Sequence, residues 1–288
     1  MKVLVYGHNG WIGKQIIKIL KDEKMNNIEV VKSVNRLEEY GKIGLELDKI
    51  NPTHVLNVAG LTGRPNVDWC EDHKDDVLRV NVIGTSVLAD ECYKRNIHLT
   101  YFGTGCIYSY DENHTYNNRG FTEEDIPNFT GSFYSKTKIL TEGILKEFPN
   151  ILILRIRMPL SDDLHPRNFI TKITKYEKVV NIPNSMSILY NLLPISVDML
   201  INKKTGVYNF TNPGSISHNE ILDLYTKYID PEFKYTNFSI EDQSKLLKAG
   251  RSNNKLDVSK LLSLYPDLPG IQDSIICLFE RMKTINKV

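Results

Sequence analysis

The chain has 288 residues, 41% apolar and 25% charged, enough for a substantial core and ordinary for a globular protein. Its 36 basic residues nearly balance 35 acidic ones, so charge gives no reason to expect nucleic acid or an anionic membrane surface as a partner. No run approaches the roughly 18 consecutive apolar residues of a membrane span.

The opening MKVLVYG reaches glycine too soon for a signal peptide and reads as a first strand, Lys2–Tyr6. GHNGWIG then turns into an amphipathic helix, KQIIKILKDE. A second strand is predicted at IEVVKSV and a third at HVLNV, residues 54–58. Residues 67–96 read as one or two helices, followed by a strand at 98–103, a long polar loop near 109–131, a helix at 133–148 and the strand ILILRIR. Strands alternating with helices imply a doubly wound parallel α/β sheet of Rossmann type, with right-handed crossovers.

After Pro159 the rhythm changes, with helical stretches near 167–178, 194–202, 217–229 and 258–264 between short strands and Pro- or Asn-rich turns. The expected organisation is a dinucleotide-binding domain over 1–160 and an interleaved substrate lobe over 161–288. Cys70, Cys92, Cys106 and Cys277 show no paired spacing, which suits free thiols in a reducing cytoplasm, and the sequons at Asn113, Asn128, Asn209 and Asn237 then carry no weight. No metal site is expected. The histidines never occur at i, i+4, and Tyr116 and Thr122 occupy the Gly and Glu positions that a calcium loop at 111–122 would need.

Three glycines, Gly7, Gly10 and Gly13, stand directly between the first strand and first helix. Glycine there permits a tight turn and close backbone approach to a pyrophosphate, which the free N–H groups of the helix start would hold. Asn9, Trp11 and Ile12 belong to the same turn, and Ala59 and Gly60 follow the third strand. The end of the second strand, residues 32–36, contains no acid to hold ribose hydroxyls; Arg36 could instead take the 2′-phosphate of NADP, against the plainer reading of a solvated loop arginine.

Tyr134 precedes Lys138 by four residues, so both share one helix face. That spacing is a common coincidence on surface helices. Its position after a later strand, with Thr104 at that strand's tip, gives it chemical content. The lysine charge favours the tyrosinate, making Tyr134 a competent proton donor to a carbonyl accepting hydride.

The glycine turn, Asn57-Val58-Ala59-Gly60, Thr104 and Tyr134-Ser-Lys-Thr-Lys138 resemble an extended short-chain dehydrogenase. GLTGRPNVDWCE, TGCIY, EEDIPNFTGSFYSKTK, RMP, PRNFITKITKYEKVVNIPNSM, YNFTNPG and RSNNKLD are similar to the nucleotide-rhamnose synthases, over nearly the entire chain. The resemblance is to their UDP-4-keto-6-deoxyglucose 3,5-epimerase/4-reductase half; the dehydratase half of fused members has no counterpart, so a separate 4,6-dehydratase is expected upstream. The resemblance implies that Cys106, spaced as in the related GDP-fucose synthases, is the epimerising base and Lys172 its acid partner. Without it, Cys106 reads as a small buried hydrophobe and Lys172 as a solvated lysine. It further implies NADPH, a homodimer, and sugar or UDP contacts from Arg64, Asn66, Asn168 and Arg251, each of which could equally be a loop or capping residue. The alternatives are a dTDP-linked 4-reductase without epimerase activity, a GDP-fucose synthase-like enzyme, and a catalytically silent NADP-binding subunit.

Overall fold

The computed structural model describes residues 1–22 and 27–286. The end of the first expected helix, at Glu23, lies outside them. Two compact units account for the chain. The first takes Met1–Ile107, Phe129–Arg155 and Leu193–Tyr208; the second takes Tyr108–Asn128, Ile156–Leu192 and Asn209–Val288. Residues 1–160 and 161–288 thus each contribute to both units.

The first unit is built on a six-stranded sheet. β1 (Lys2–Tyr6), β2 (Glu29–Lys32), β3 (His54–Asn57), β4 (His98–Thr104) and β5 (Ile151–Ile156) are joined by the late strand Gly206–Asn209, in the order β2-β1-β3-β4-β5 and then that strand. β1 pairs in parallel with β2 and β3, and β3 with β4, in register Val3↔His54 and Asn57↔Tyr101. β3 and β4 are buried along their whole length, as parallel strands covered on both faces are, with the polar His54, Asn57, His98, Thr100 and Thr104 buried among their apolar residues. The chain leaves β1 to one side for β2 and returns to the other for β3. The crevice outside the strand ends at that reversal is where doubly wound sheets bind ligands.

Helix α1 (Trp11–Leu20) buries Ile16, Ile17 and Leu20. α2 (Tyr40–Ile50) is absent from the expected element order: two glycines and a buried Glu46 interrupt its apolar stripe of Ile43 and Leu47. The segment expected as one or two helices is α3 (Trp69–Asp72), α4 (Lys74–Val77), a π-helical stretch Leu78–Gly84 and α5 (Thr85–Lys94). α6 (Phe133–Leu145) follows the polar loop, capped by Ser132, whose Oγ accepts from Ser135 N at 3.0 Å.

In the second unit, α7 (Phe169–Ile173) is shorter than expected. α8 (Leu189–Ile201) starts earlier, passes through Pro194 and runs on into the first unit. α9 (His218–Tyr228) opens on a full capping box between Ser217 and Glu220. α10 (Ile240–Leu246), α11 (Ser259–Leu262) and the long α12 (Ile271–Asn286) complete it. Its core gathers Leu160, Ile170, Ile188, Ile221, Leu278 and Phe279. Among the described residues, no helix is long and apolar enough to cross a membrane.

Candidate active site

The glycine turn lies at the sheet's reversal point. Gly7 has φ of +80°, a region favouring glycine, and a Cβ there would fall 2.5 Å from Ala59 N. Gly10 N donates to Gly7 O at 2.9 Å, and a Cβ on Gly13 would lie 2.4 Å from the same oxygen. The three glycines therefore let β1's exit, β3's exit and the start of α1 meet backbone to backbone. The first turn of α1 carries no acidic side chain, so its amide ends suit an anion. This cradle, which any side chain would fill, fits the pyrophosphate of a dinucleotide. Within it Asn9 is exposed, Ile12 half-buried and Trp11 buried.

The loop after β2 is tethered from α2. The Glu46 carboxylate is buried and accepts from Tyr6 Oη (2.6 Å), Ser33 Oγ (2.8 Å) and Val34 N (2.8 Å). Sequence reading missed Glu46; a lone acid inside an amphipathic helix was the available signal. Arg36 is exposed at the end of this loop. Acids do approach it from beyond the 32–36 window: Glu38 pairs with its Nε, and Glu39 accepts from its backbone N–H at 2.8 Å.

Tyr134 and Lys138 are both buried on the inner face of α6. Lys138 Nζ lies 5.9 Å from the Tyr134 ring centroid and donates to Tyr101 Oη, on β4, at 2.7 Å. Burial pulls the Lys138 amine down to about 8, and the nearby Glu142 carboxylate acts the other way. Glu142 is held by Arg155 of β5 at 3.0 and 2.6 Å. A Cβ on Gly60 would lie 3.5 Å from Lys138 Nζ and 3.4 Å from Asn81 Oδ1. Asn81, in the π-helical stretch, accepts from Leu61 N and donates to Leu61 O, both at 2.8 Å, fixing the chain that leaves Gly60. Tyr101, Asn81 and the Glu142–Arg155 pair leave no trace in a four-residue spacing. Only Glu142, four residues after Lys138, was legible as a helix-face neighbour.

Thr104 closes β4, and its hydroxyl accepts from Cys106 N at 3.1 Å, which leaves its own O–H for another acceptor. The Cys106 carbonyl accepts from Ser135 Oγ at 2.6 Å. Cys106 is thus pinned on one side to Thr104 and on the other to the residue beside Tyr134. Its side chain is partly buried against the Cys70, Val77 and Tyr134 cluster. Burial raises the Cys70 thiol to about 11, which makes it an inert packing residue. Arg64 is exposed in the following loop, and Asn66 shapes that loop through its Oδ1, which accepts from Asp68 N at 2.8 Å.

The second unit holds Asn168, Lys172 and Arg251. Asn168 is fully buried at the start of α7. Its amide accepts from Ile170 N and Ser161 N and donates to Ser161 O and Asp163 O, so all its side-chain capacity is taken by the protein. It sets the helix that carries Lys172 and has no side-chain group left for a ligand. Lys172 is half-buried, and burial, then Arg167, lowers its pKa. Arg251 donates to Ala249 O at 2.7 Å. Among the described residues, no cluster of His, Cys, Asp and Glu could hold a metal ion.

Comparison with known proteins places this geometry in a family. The RmlD substrate binding domain matches residues 1–183. The Arabidopsis thaliana trifunctional UDP-glucose 4,6-dehydratase/UDP-4-keto-6-deoxy-D-glucose 3,5-epimerase/UDP-4-keto-L-rhamnose-reductase RHM1 is 52% identical over 278 residues, covering 96% of this chain. The chain spans only 41% of that protein's length. The bifunctional dTDP-4-dehydrorhamnose 3,5-epimerase/dTDP-4-dehydrorhamnose reductase of the same plant is 52% identical over 95% of this chain and 90% of its own. The crystal structure of the L780 UDP-rhamnose synthase from Acanthamoeba polyphaga mimivirus superposes with a TM-score of 0.92 at 42% identity, covering 98% of this chain and 99% of that one. The chain belongs to the RmlD family and, within it, groups with the rhamnose-forming epimerase/reductases.

Proposed function

We propose that the chain is a bifunctional enzyme that converts UDP-4-keto-6-deoxy-D-glucose to UDP-β-L-rhamnose, epimerising C3 and C5 and then reducing C4 with NADPH. The observation that carries this reading is the tip of β4. One short turn bears both a hydroxyl suited to polarising a carbonyl and a thiol that, once ionised, can take a proton, with the Cys106 backbone tied to the Thr104 hydroxyl and to Ser135 at the start of α6. A reductase without epimerase activity has no use for the thiol.

The 4-keto group acidifies the protons on C3 and C5. The Cys106 thiolate takes each in turn and the Lys172 ammonium returns a proton to the opposite face; the resulting thiol gives up its proton, and the amine regains one, by exchange with solvent before the second carbon reacts. A lysine whose pKa burial has lowered gives up its proton more readily than a solvated one, which suits it to that part. Thr104 then donates its O–H to O4, and Tyr134 delivers the proton that completes the alcohol, with the Lys138 ammonium stabilising the tyrosinate left behind. Gly7, Gly10, Gly13, Ala59 and Gly60 would hold the dinucleotide, Arg36 its 2′-phosphate and Lys138 its nicotinamide ribose. When bound, NADPH supplies the hydride. Arg64, Asn66 and Arg251 are the sequence-based candidates for sugar and diphosphate contacts.

On this reading the substrate is the product of a 4,6-dehydration of the UDP-hexose. A homodimer formed through α6 fits the exposure of Leu140 and Ile144 on that helix and of Leu78 and Ile83 on the π-helical stretch packed against it. The deciding experiment is incubation with NADPH and either UDP- or dTDP-4-keto-6-deoxyglucose, with product stereochemistry assigned by NMR. Formation of the L-rhamno product supports the reading. A product reduced at C4 with C3 and C5 unchanged rejects the epimerase half. Preference for the dTDP sugar, named for one relative, rejects the UDP assignment.

A further inference from the structure

We propose that Tyr101 is a positioning residue of the reductase centre, whose hydroxyl fixes the Lys138 ammonium in place and keeps it charged. The inference rests on the reading of Lys138 as the partner of Tyr134. An ammonium carries three N–H donors and no acceptor, and one taken out of water needs each donor met by protein or ligand. At 2.7 Å, the bond to Tyr101 Oη is a short charge-assisted one. The same Nζ lies 4.9 Å from the Tyr101 ring centroid, beyond the oxygen at the ring's edge, so the hydrogen bond itself carries the contact.

Tyr101 is well suited to this task. It sits fully buried on a central strand, in register with Asn57 of β3, within the cluster of Leu4, Val55, Leu99 and Ile153. A phenol packed there has little rotamer freedom, so its oxygen is a fixed point. Burial raises its own pKa well above 10, with Tyr134 and Glu142 adding to the effect, so it stays a neutral acceptor throughout the working range. Lys138 by contrast titrates near 8, close enough to neutrality for one hydrogen bond to decide its charge.

Among the described residues, the other charged or titratable groups around the amine are Tyr134 and Glu142 on α6 itself, with Arg155 on β5 and Lys146 at the end of α6 both paired to Glu142. From the segment before the π-helix, Glu71 and Lys74 face α6 at Phe133, more than one helical turn away.

The test removes only the oxygen. In the cofactor-free protein, the Lys138 amine is titrated by NMR on isotope-labelled lysine, its signal assigned by its absence in Lys138→Met. Tyr101→Phe is expected to lower the midpoint by about one unit, the worth of a hydrogen bond to a charged group. The alkaline limb of NADPH oxidation should move down with it. A merely structural role for the tyrosine would leave both where they were, and an unmoved midpoint overturns the proposal. Should Tyr101→Phe fail to fold, 3-fluorotyrosine at position 101 keeps the packing and weakens the acceptor. A smaller shift in the same direction supports the inference, and none rejects it. The underlying reading fails separately: a Tyr134→Phe variant that still oxidised NADPH would reject the tyrosine–lysine centre while leaving the midpoint difference intact.

Discussion

At Tyr134 and Lys138 the proposed chemistry depends on what surrounds the pair. Burial gives the lysine a pKa near its working range, and Tyr101, Glu142 and Gly60 define the space around its amine. None of these neighbours could be read from a four-residue spacing, because β4 and α6 meet only through the fold. The glycine turn was legible because its constraint is local: the strand, the turn and the helix are consecutive. Cys106 was singled out through resemblance alone, since a single cysteine carries no pattern, and its role stays a proposal. The two proposed half-reactions separate at these residues. Tyr134→Phe should still exchange deuterium from D2O into the keto sugar while oxidising almost no NADPH, and Cys106→Ser should lose the exchange while keeping its affinity for NADPH, because serine is far harder to ionise. Mass spectrometry of the sugar and NADPH absorbance read the two effects. Deuterium uptake at the unmodified rate in Cys106→Ser would remove the thiol from the mechanism. Arg36 makes a milder prediction. It must leave Glu38 to meet a 2′-phosphate, so Arg36→Ala should cost about 1.5 kcal/mol of NADPH preference over NADH, the lower end for a hydrogen bond to a charged group. Equal kcat/KM for the two cofactors in the unmodified protein would reject the assignment.

Among the elements, those that carry the site were the most readable. β1, β3, β4 and α6 have long apolar runs or clear caps, and their bounds fall within a few residues of the pattern. α2 was hidden because Gly41, Gly44 and the buried Glu46 break the helical stripe. The π-helical stretch was hidden for another reason. Its widened turn serves the tertiary contacts of Asn81, whose side chain grips Leu61 and whose carbonyl accepts from Thr141 Oγ1 of α6 at 2.8 Å. α6 is fastened to β5 by the Glu142–Arg155 pair, with both side chains essentially inaccessible to water. Breaking such a pair strands a buried charge. Glu142→Gln should therefore cost roughly 3–5 kcal/mol in urea unfolding, while replacing both partners together with Leu and Met should cost much less. Equal losses in the two variants would show that the pair acts through packing alone.

The whole molecule interleaves two units, and no composition shift along the chain announces where it crosses from one to the other. The strand Gly206–Asn209 and most of α8 return to the first unit after the second has begun, and only the finished sheet reveals the return. That return has a consequence for acid stability. His98 Nε2 donates to the Lys204 carbonyl at 2.7 Å, and its ring lies 5.6 Å from that of His54. His54 Nε2 and His98 Nδ1 are buried without hydrogen-bond partners, so neither ring can accept a second proton cheaply. Burial, then the neighbouring His98 and Lys203, pulls His54 down to about 4 from 6.5. With the folded pKa below the unfolded one, the unfolded chain binds more protons between those values, so unfolding free energy rises with pH across that window. The contribution is complete above pH 6.5 and is lost as pH falls toward 4, on the order of 3 kcal/mol at most. His54→Gln removes the titrating ring. Urea unfolding at pH 7.5 and pH 4.5 should show a smaller acid loss in the variant than in the unmodified protein, by about 1–3 kcal/mol. Carboxylates titrate equally in both proteins and cancel in that difference. Identical acid losses would mean that His54 is already protonated in the folded state, with the buried rings open to water.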